Sequence, residues 1–279
     1  MKIYYNANLK KKHCKGVLAI GNFDGIHLGH QKVINDAKNK AIKNKLPFGI
    51  MTFEPVPVMF FNKKIKNHRI NSLEQKKIHL KKFKLDFLII IKFNKKFSSQ
   101  SPEEFIKKII FKKTKCKYLY VSKNFKFGFK RQGNISTLKK FEKKYNFKNI
   151  VTQPFKKNNK TISSTFIRKK IKLGKIEEVN KLLGRKWSVI GKVIKGQKRG
   201  RKIGFPTCNL KLNDYVVPKR GVYAVKVKSN SFYKNGIANV GYRPTFNGQK
   251  LLLETNIFGI NKNLYNKVID INFKKFLRP

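Results

Sequence analysis

The chain has 279 residues, of which 40% are hydrophobic, and its 67 Lys and Arg against 13 Asp and Glu give a net charge of +54. This length predicts two domains of ordinary size, and the hydrophobic content excludes a disordered polycation. No apolar run approaches the roughly 18 residues of a membrane span, no secretory signal is present, and the 3 cysteines are too widely spaced for a disulfide framework or a zinc ligand set. We therefore expect a cytoplasmic protein without membrane association.

The strong positive charge suggests a nucleic-acid-binding protein as one functional class. Only a small minority of the 67 basic residues are arginine, although arginine is the residue that reads bases and clamps phosphates. The lysines are also spread along the whole chain instead of forming one basic arm. We expect non-specific attraction of polyanions and no specific nucleic-acid partner, and we keep a basic nucleic-acid-binding protein as the alternative from another class.

The first part of the chain alternates short apolar runs with stretches of helical spacing. Strands are predicted at 17–20, 48–53, 87–91, 118–121 and 150–151, and helices at 30–43, 72–84, 101–111, 138–145, 163–171 and 176–183. Strands that alternate with helices of this length are typical of a parallel, doubly wound α/β sheet.

The pattern changes after Gly184, where the helical part ends. Short strands are predicted at 189–194, 221–227, 234–240, 251–257 and 268–273. Several short strands at near-regular spacing, with no helical pattern between them, predict a small antiparallel β-barrel. We therefore predict an α/β domain over 1–184 and a barrel domain over 185–279.

A glycine-rich segment follows the first predicted strand and opens the first predicted helix. It reads Gly21-Asn22-Phe23-Asp24-Gly25-Ile26-His27-Leu28-Gly29-His30. An open α/β sheet binds phosphates at this place, through helix N–H groups and glycines that let the backbone approach the ligand. His27 and His30 can share one face of the first helical turn and donate hydrogen bonds as charge builds on a phosphate in a transition state. A core histidine or a helix cap is the structural alternative.

Three motifs in order resemble the bacterial FAD synthetases. The glycine-rich segment is similar to their nucleotidyltransferase signature, Ile162-Ser163-Ser164-Thr165-Phe166-Ile167-Arg168 resembles their ISSTxIR motif, and Ser122-Lys123-Asn124-Phe125-Lys126-Phe127-Gly128 resembles their flavin- and nucleotide-side loop, in which Ser122 replaces the usual Gly. The resemblance implies a Rossmann-like nucleotidyltransferase domain with His27 and His30 as catalytic residues. It places the nucleotide and its phosphates at Gly21, Asn22, Phe23, Asp24, Gly25, Gly29, Ser163, Ser164, Thr165 and Arg168, and the flavin at Asn124, Phe125, Phe127 and Gly128.

The densest cluster of glycine and basic residues lies near the start of the predicted barrel. It reads Gly196-Gln197-Lys198-Arg199-Gly200-Arg201-Lys202-Ile203-Gly204-Phe205-Pro206-Thr207-Cys208-Asn209. It is not a Walker A loop, because Gly196 is followed by Gln197 where that loop requires Lys, and a hairpin between barrel strands is the structural alternative. The cluster resembles the GRxxGFPTAN motif of riboflavin kinases, and blocks at 221–224, 238–245 and 253–254 resemble further parts of that family in order.

This second resemblance implies a kinase site on the barrel. It assigns the nucleotide to Gly196, Gly200, Arg201, Gly204, Phe205 and Pro206, a Mg²⁺ ion to Thr207 and Asn209, and the catalytic base to Glu254. The sequence departs from the family at Cys208, where Ala is usual, at Lys198-Arg199, where an acidic residue is frequent, and at Asn256, where His is common. The family normally continues into a C-terminal helical segment, and we expect this segment to be missing after Pro279.

Together the resemblances identify the chain as similar to bifunctional riboflavin kinase/FAD synthetases. They imply phosphorylation of riboflavin by ATP to FMN, then adenylylation of FMN by ATP to FAD with release of pyrophosphate. A base helps the first step, because the attacking hydroxyl is neutral, whereas the FMN phosphate is already anionic and needs only donors and alignment. Mg²⁺ is expected in both steps. Given the departures, an FMN adenylyltransferase with an impaired kinase domain is the alternative within this class; no oligomeric state is predicted.

Overall fold

In the computed structural model, the chain is described at residues 1–157, 160–195, 206–213, 215–245, 248–260 and 262–279. It forms two compact units. The first comprises Met1–Ile65 and Lys76–Ile162, and the second comprises Lys66–Gln75 and Ser163–Pro279. The domain boundary at residue 184, which was placed where the helical pattern of the sequence ends, stays a prediction.

The first unit is an α/β sandwich. Its sheet contains β1 (Lys2–Tyr4), β2 (Val17–Ile20), β3 (Phe48–Glu54), β4 (Phe87–Lys92), β5 (Tyr118–Ser122) and β6 (Lys148–Thr152). All of these strands pair in parallel, in the order β1-β4-β3-β2-β5-β6. The winding reverses beside β2, with β3, β4 and β1 on one side and β5 and β6 on the other. The predicted doubly wound sheet is confirmed.

Helices cover this sheet, because its central strands β2, β3 and β4 are almost entirely apolar and buried, as strands covered on both faces are. They are α1 (Leu28–Lys43), α2 (Pro57–Phe61), α3 (Leu73–Lys81), α4 (Lys95–Ser98), α5 (Pro102–Phe105) and α6 (Ile135–Phe141). A π-helix (Ile106–Thr114) continues α5, 3₁₀ turns lie at Lys11–His13 and Phe129–Arg131, and β7 (Lys156–Lys157) pairs with β8 (Lys160–Thr161). Helix α3 is divided between the two units, because its residues up to Gln75 belong to the second unit and those from Lys76 belong to the first.

Local capping explains where the helices begin. Helix α1 starts two residues before the predicted position because the His27 side chain caps it. Helix α6 starts three residues earlier than predicted because Asn134 and Thr137 form a capping box. The Ser72 hydroxyl accepts a hydrogen bond from the Gln75 N–H at 3.2 Å, and the Gln75 Oε1 accepts one from the Ser72 N–H at 3.0 Å. Ser72 is thus the N-cap of α3.

The second unit is a small barrel with two helices. It contains α7 (Ser164–Lys172), α8 (Ile176–Leu183), β9 (Ser188–Lys192), β10 (Thr207–Lys211), β11 (Gly221–Lys228), β12 (Tyr233–Thr245), β13 (Gly248–Ile257) and β14 (Val268–Arg278). The strands form an antiparallel sheet in the order β10-β13-β12-β11-β14-β9, and a bridge between Ile194 and Asn209 joins its two edges. The barrel is therefore nearly closed, which confirms the predicted fold class.

Ten residues from the first half of the chain pack within this second unit. Trp187 donates through Nε1 to the Ile70 carbonyl at 2.9 Å, and the Gln75 amide donates to the Ser188 carbonyl and hydroxyl at 3.0 Å each. The Tyr215 hydroxyl donates to the Gln75 Oε1 at 2.7 Å. We call Lys66–Gln75 the 66–75 segment.

In the ranges that the structure describes, no helix is long and apolar enough to span a membrane.

Candidate active sites

The glycine-rich segment lies at the switch point of the parallel sheet. It leaves the carboxyl end of β2, and the Ser122–Gly128 loop leaves the carboxyl end of the neighbouring strand β5. Doubly wound sheets bind ligands at this place because the two loops diverge and leave a crevice. The fold thus brings two of the three motifs of the first predicted site to the same edge.

The turn after β2 is tightly wound and tied to β3. The Gly21 N–H donates to the Met51 carbonyl at 3.1 Å, and the Thr52 hydroxyl donates to the Asn22 carbonyl at 3.0 Å. Phe23 and Gly25 have φ angles of 46° and 85°. A left-handed φ at a residue with a side chain is strained, and such strain persists only where the surrounding structure holds it. The turn is therefore a held conformation rather than a loose loop.

His27 and His30 form a stacked pair at the start of α1. Their ring centroids are 3.7 Å apart with an angle of 20° between the planes, and the Phe23 ring lies edge-on to His30 at 5.3 Å. His27 is 4% exposed and caps the helix, since its Nδ1 accepts the His30 N–H at 3.3 Å. An accepting Nδ1 carries no hydrogen, so a neutral His27 ring holds its proton on Nε2. The helix cap anticipated as a structural alternative is therefore real, and it fixes the ring orientation.

Gly29 lets the paired rings and the chain approach one another. A Cβ atom at this position would lie 3.1 Å from the His27 Nδ1 and 3.4 Å from the Ile162 carbonyl oxygen. Asp24 is 2% exposed, whereas Asn22 is exposed. In the glycine-rich segment, the polar side chains at the N-terminus of α1 are thus the imidazoles of His27 and His30.

The Ser-Ser-Thr-x-x-Arg motif begins α7 in the second unit. Ser163 is the N-cap, with its hydroxyl accepting the Phe166 N–H at 3.2 Å, and Ser164 is the first residue of the helix. Thr165 is exposed. Arg168 donates through Nε to the His68 carbonyl of the 66–75 segment at 2.9 Å. Ser163 thus caps α7, and the arginine is oriented by a backbone contact.

The loop after β5 borders a cleft of about 410 Å³. Asn124 and Phe125 line it together with Arg131 and Asn134. Phe127 does not line the cleft; it is 8% exposed and stacks under Phe125, with ring centroids 5.4 Å apart. The cleft combines an aromatic face with basic and amide side chains, which suits a flat ring that carries a phosphate.

An aromatic series that the sequence analysis missed continues from this cleft. Consecutive ring centroids lie 5.3–6.1 Å apart along Phe127, Phe105, Phe97, Phe93 and Phe61. The series ends at Phe61, which is 67% exposed. The 24 phenylalanines of the sequence were the available signal, but the spacing along the chain does not show which rings meet.

The predicted kinase residues meet on one face of the barrel. Asn209 of β10 pairs with Glu254 of β13, and Thr207 pairs with Asn256. Directly opposite residues of an antiparallel pair project to the same side, as do residues two apart along a strand. The intervening residue, Cys208, faces the barrel interior, where burial raises the pKa of its thiol to about 12. The thiol accordingly stays protonated and its replacement of Ala is a packing change.

Asn209 has the properties of a ligand-binding amide. It is 4% exposed, and among the residues that the structure describes its Oδ1 has no hydrogen-bond partner. A buried polar oxygen without a partner is costly unless a ligand satisfies it, so Asn209 and the neighbouring Thr207 fit a hard cation. No cluster of three or more His, Cys, Asp or Glu side chains is present in the described ranges, so any cation there needs oxygen ligands of this kind or from a substrate.

The remaining predicted kinase residues are only partly described. Gly196, Gly200, Arg201, Gly204 and Phe205 lie outside the described residues. The Pro206 carbonyl accepts a hydrogen bond from the Asn256 amide at 2.9 Å. Asn256, noted as a departure from the family, therefore supports the backbone just before Thr207.

The barrel holds a second half-buried carboxylate, Asp270. Burial raises the pKa of Asp270, against hydrogen bonds from Ser188 and Asn272 and the charge of Lys228, which lower it. Asp270 lies on β14, which pairs with β11 and β9 and not with β10. The barrel register therefore separates Asp270 from the Asn209–Glu254 pair.

A switch-point turn with two imidazoles and a barrel face with a carboxylate beside an amide define a two-module, nucleotide-using class of protein. Family models match both modules: one described as FAD synthetase matches residues 9–166, and one described as riboflavin kinase matches residues 183–279. The chain belongs to the family of bifunctional proteins that join these two modules.

Individual relatives agree with this assignment. Two proteins named bifunctional riboflavin kinase/FMN adenylyltransferase are similar to this chain. One, from Buchnera aphidicola subsp. Schizaphis graminum, is 42% identical over 97% of this chain and 88% of its own length. The other, from Haemophilus influenzae, is 39% identical over 96% of this chain and 87% of its own length. A solved structure from Streptococcus pneumoniae, described as a macrolide-efflux protein, has a TM-score of 0.86 and 29% identity, and covers 99% of this chain and 90% of its own.

Proposed function

We propose that this protein makes FAD from riboflavin in two ATP-dependent steps, one in each module, with the modules divided near residue 184. The observation that carries the proposal is the stacked His27–His30 pair at the N-terminus of α1, on the switch-point edge of the sheet. The matched family descriptions and the names of the relatives support both activities.

In the adenylyl transfer, an oxygen of the FMN phosphate attacks the α-phosphorus of ATP. A phosphorus–oxygen bond forms there as the bond to the pyrophosphate oxygen breaks, and no proton has to be removed from the nucleophile. The site must supply donors and alignment. His27 and His30 donate to the phosphate oxygens from the helix N-terminus. The backbone of the turn, from Gly21 to Gly25, and that of Gly29 leave room for the phosphates. Ser163, Ser164, Thr165 and Arg168 contribute further donors for the phosphates.

The flavin of this step occupies the cleft beside the β5 loop. Phe125 offers a ring face for stacking, and Phe127 supports it from below, with Gly128 ending the loop. Asn124 and Arg131 offer amide and guanidinium donors for the phosphate of FMN.

In the kinase step, the terminal ribityl hydroxyl of riboflavin attacks the γ-phosphorus of ATP. Glu254 accepts the hydroxyl proton as the new phosphorus–oxygen bond forms and ADP leaves. Gly196, Gly200, Arg201, Gly204, Phe205 and Pro206 are proposed to hold the nucleotide. Thr207 and Asn209 would hold Mg²⁺, which neutralises the phosphates when bound. The Oδ1 of Asn209, which has no hydrogen-bond partner among the described residues, supports this assignment.

The experiment that tests the function is direct. The purified protein is incubated with riboflavin, ATP and Mg²⁺, and the flavins are separated by chromatography. We expect FMN and then FAD, and FMN supplied in place of riboflavin isolates the second step. FAD from FMN without any phosphorylation of riboflavin would leave only the adenylyltransferase. No conversion, with tight binding of nucleic acid, would favour the basic nucleic-acid-binding protein instead.

The proposed partners are the small molecules riboflavin, FMN and ATP. We propose a cytoplasmic location, supported by the three cysteines, none of which is in a disulfide.

A further inference from the structure

Lys76 is an almost fully buried lysine beneath the glycine-rich turn. It is 1% exposed, although lysine is rarely buried without partners. Its Nζ donates to the Asn22 carbonyl at 2.8 Å and lies 3.3 Å from the Thr52 hydroxyl oxygen. A long lysine in the core loses hydration and rotamer freedom, so a stability role alone would be better met by an apolar residue.

The Asn22 carbonyl is the point on which these contacts converge. The Thr52 hydroxyl donates to it at 3.0 Å, so the same oxygen accepts from both side chains. The preceding residue is fixed as well, because the Gly21 N–H donates to the Met51 carbonyl. Helix α3 and strand β3 therefore hold the first peptide groups of the turn from below.

This anchoring determines where the next backbone donor points. A trans peptide is planar, and its C=O and N–H point in opposite directions. With the Asn22 carbonyl held toward Lys76, the Phe23 N–H is turned away from Lys76. Phe23 then enters the left-handed region with φ of 46°, a conformation that needs outside support.

We propose that Lys76 is a positioning residue of the adenylyl-transfer site, which acts together with Thr52 by fixing the Asn22 carbonyl and hence the backbone donors that face the ATP phosphates. This inference rests on the proposed function of the turn. Lys76 itself touches neither substrate; it holds the conformation that binds ATP. Its loss should therefore raise the KM for ATP in FAD formation and leave the KM for FMN unchanged.

The test compares Lys76→Met, which keeps the length without a donor, with Lys81→Met at the exposed end of the same helix. We expect Lys76→Met to lower kcat/KM for ATP in FMN adenylylation by about 10²-fold, the scale of a misplaced binding element, mainly through KM. Lys81→Met should match the parent. Riboflavin phosphorylation, measured on the same samples, should stay at the parent rate in both variants.

A second pair keeps the proposal testable if Lys76→Met does not fold. Thr52→Val removes the hydroxyl at nearly constant shape and should raise the KM for ATP about three- to tenfold, whereas Thr52→Ser should retain the parent value. A purely structural role would lower the active fraction, and so kcat, with KM unaltered. An unchanged KM for ATP in Thr52→Val, or in folded Lys76→Met, overturns the proposal. A parent protein that makes no FAD from FMN would instead overturn the proposed function, before any variant is compared.

Discussion

His27 has two roles that one substitution can separate. Its Nδ1 caps α1, and its Nε2 carries the proton proposed to reach the phosphate oxygens. Asparagine is a good N-cap but lacks the second nitrogen. We expect His27→Asn to keep the parent melting temperature, His27→Ala to melt lower, and both to slow FAD formation by about 10²–10³, the scale for one preorganised donor.

The same assay tests His30, which is stacked on His27 but does not cap the helix. His30→Ala should lower FAD formation to a similar extent. Riboflavin phosphorylation should be nearly unchanged in all three variants, because the proposed kinase residues lie on the barrel. Equal loss of both activities would show that the histidines serve folding instead.

Glu254 is the predicted base of the kinase step. It is partly buried, opposite Asn209 on one side and Asn239 on the other. Glu254→Gln keeps the shape and removes the proton acceptor, so we expect riboflavin phosphorylation to fall by about 10²–10⁴ with FMN adenylylation intact. The alternative is that Glu254 is a surface glutamate paired with one of the many lysines, and such a pair would contribute at most about 1 kcal/mol to the free energy of unfolding. A Gln variant that phosphorylates riboflavin at the parent rate would remove Glu254 from the mechanism.

At the scale of elements, the 66–75 segment gives the second unit an interior polar network. Gln75 connects the segment to Ser188 and Tyr215 and also caps α3 through Ser72. Gln75→Ala leaves several buried groups without partners, which costs about 2–4 kcal/mol of unfolding free energy. Trp187, the single tryptophan of the chain, lies in this unit, so denaturant unfolding followed by its fluorescence measures the effect. Lys81→Ala, on the exposed part of α3, is the control. A loss below about 0.5 kcal/mol would contradict this role for the network.

Most elements could be predicted because their hydrophobic patterns are strong. Strand β2 and helix α8 have the predicted bounds. The three-residue edge strand β1 was missed, since so short a run carries no period. Strand β10 was missed because its polar Thr207 and Asn209 alternate with only two apolar residues; it is a strand because β13 pairs with it. The helix predicted over 101–111 has the right place, but apolar spacing does not distinguish its α-helical start from its π-helical continuation.

At the scale of the whole molecule, the sequence predicts the two modules better than it predicts the side-chain contacts within them. Motifs located His27 and Asn124 in the loops after β2 and β5 and Glu254 on β13, because each motif follows a recognisable run; their roles stay predictions. The stacking of Phe125 on Phe127, the Lys76 contacts and the inclusion of the 66–75 segment in the second unit depend on tertiary packing. Local patterns contain no information about such pairings, and so these features could be found only in the folded chain.

The net charge of +54 gives the last prediction. Self-repulsion on this scale destabilises the folded state and attracts polyanions, and both effects are screened by salt. Ion pairs such as Lys108 with Glu104 and Lys144 with Glu103 are exposed and contribute little to stability. The basic excess is almost all lysine spread over the chain, which lacks the bidentate geometry for base readout. We therefore expect weak binding to a random DNA duplex at low salt, without sequence preference, that falls steeply as salt rises. Fluorescence anisotropy with two unrelated duplexes across a salt series measures this. A nanomolar complex with one duplex and not the other, at physiological salt, would contradict it and restore nucleic acid as a specific partner.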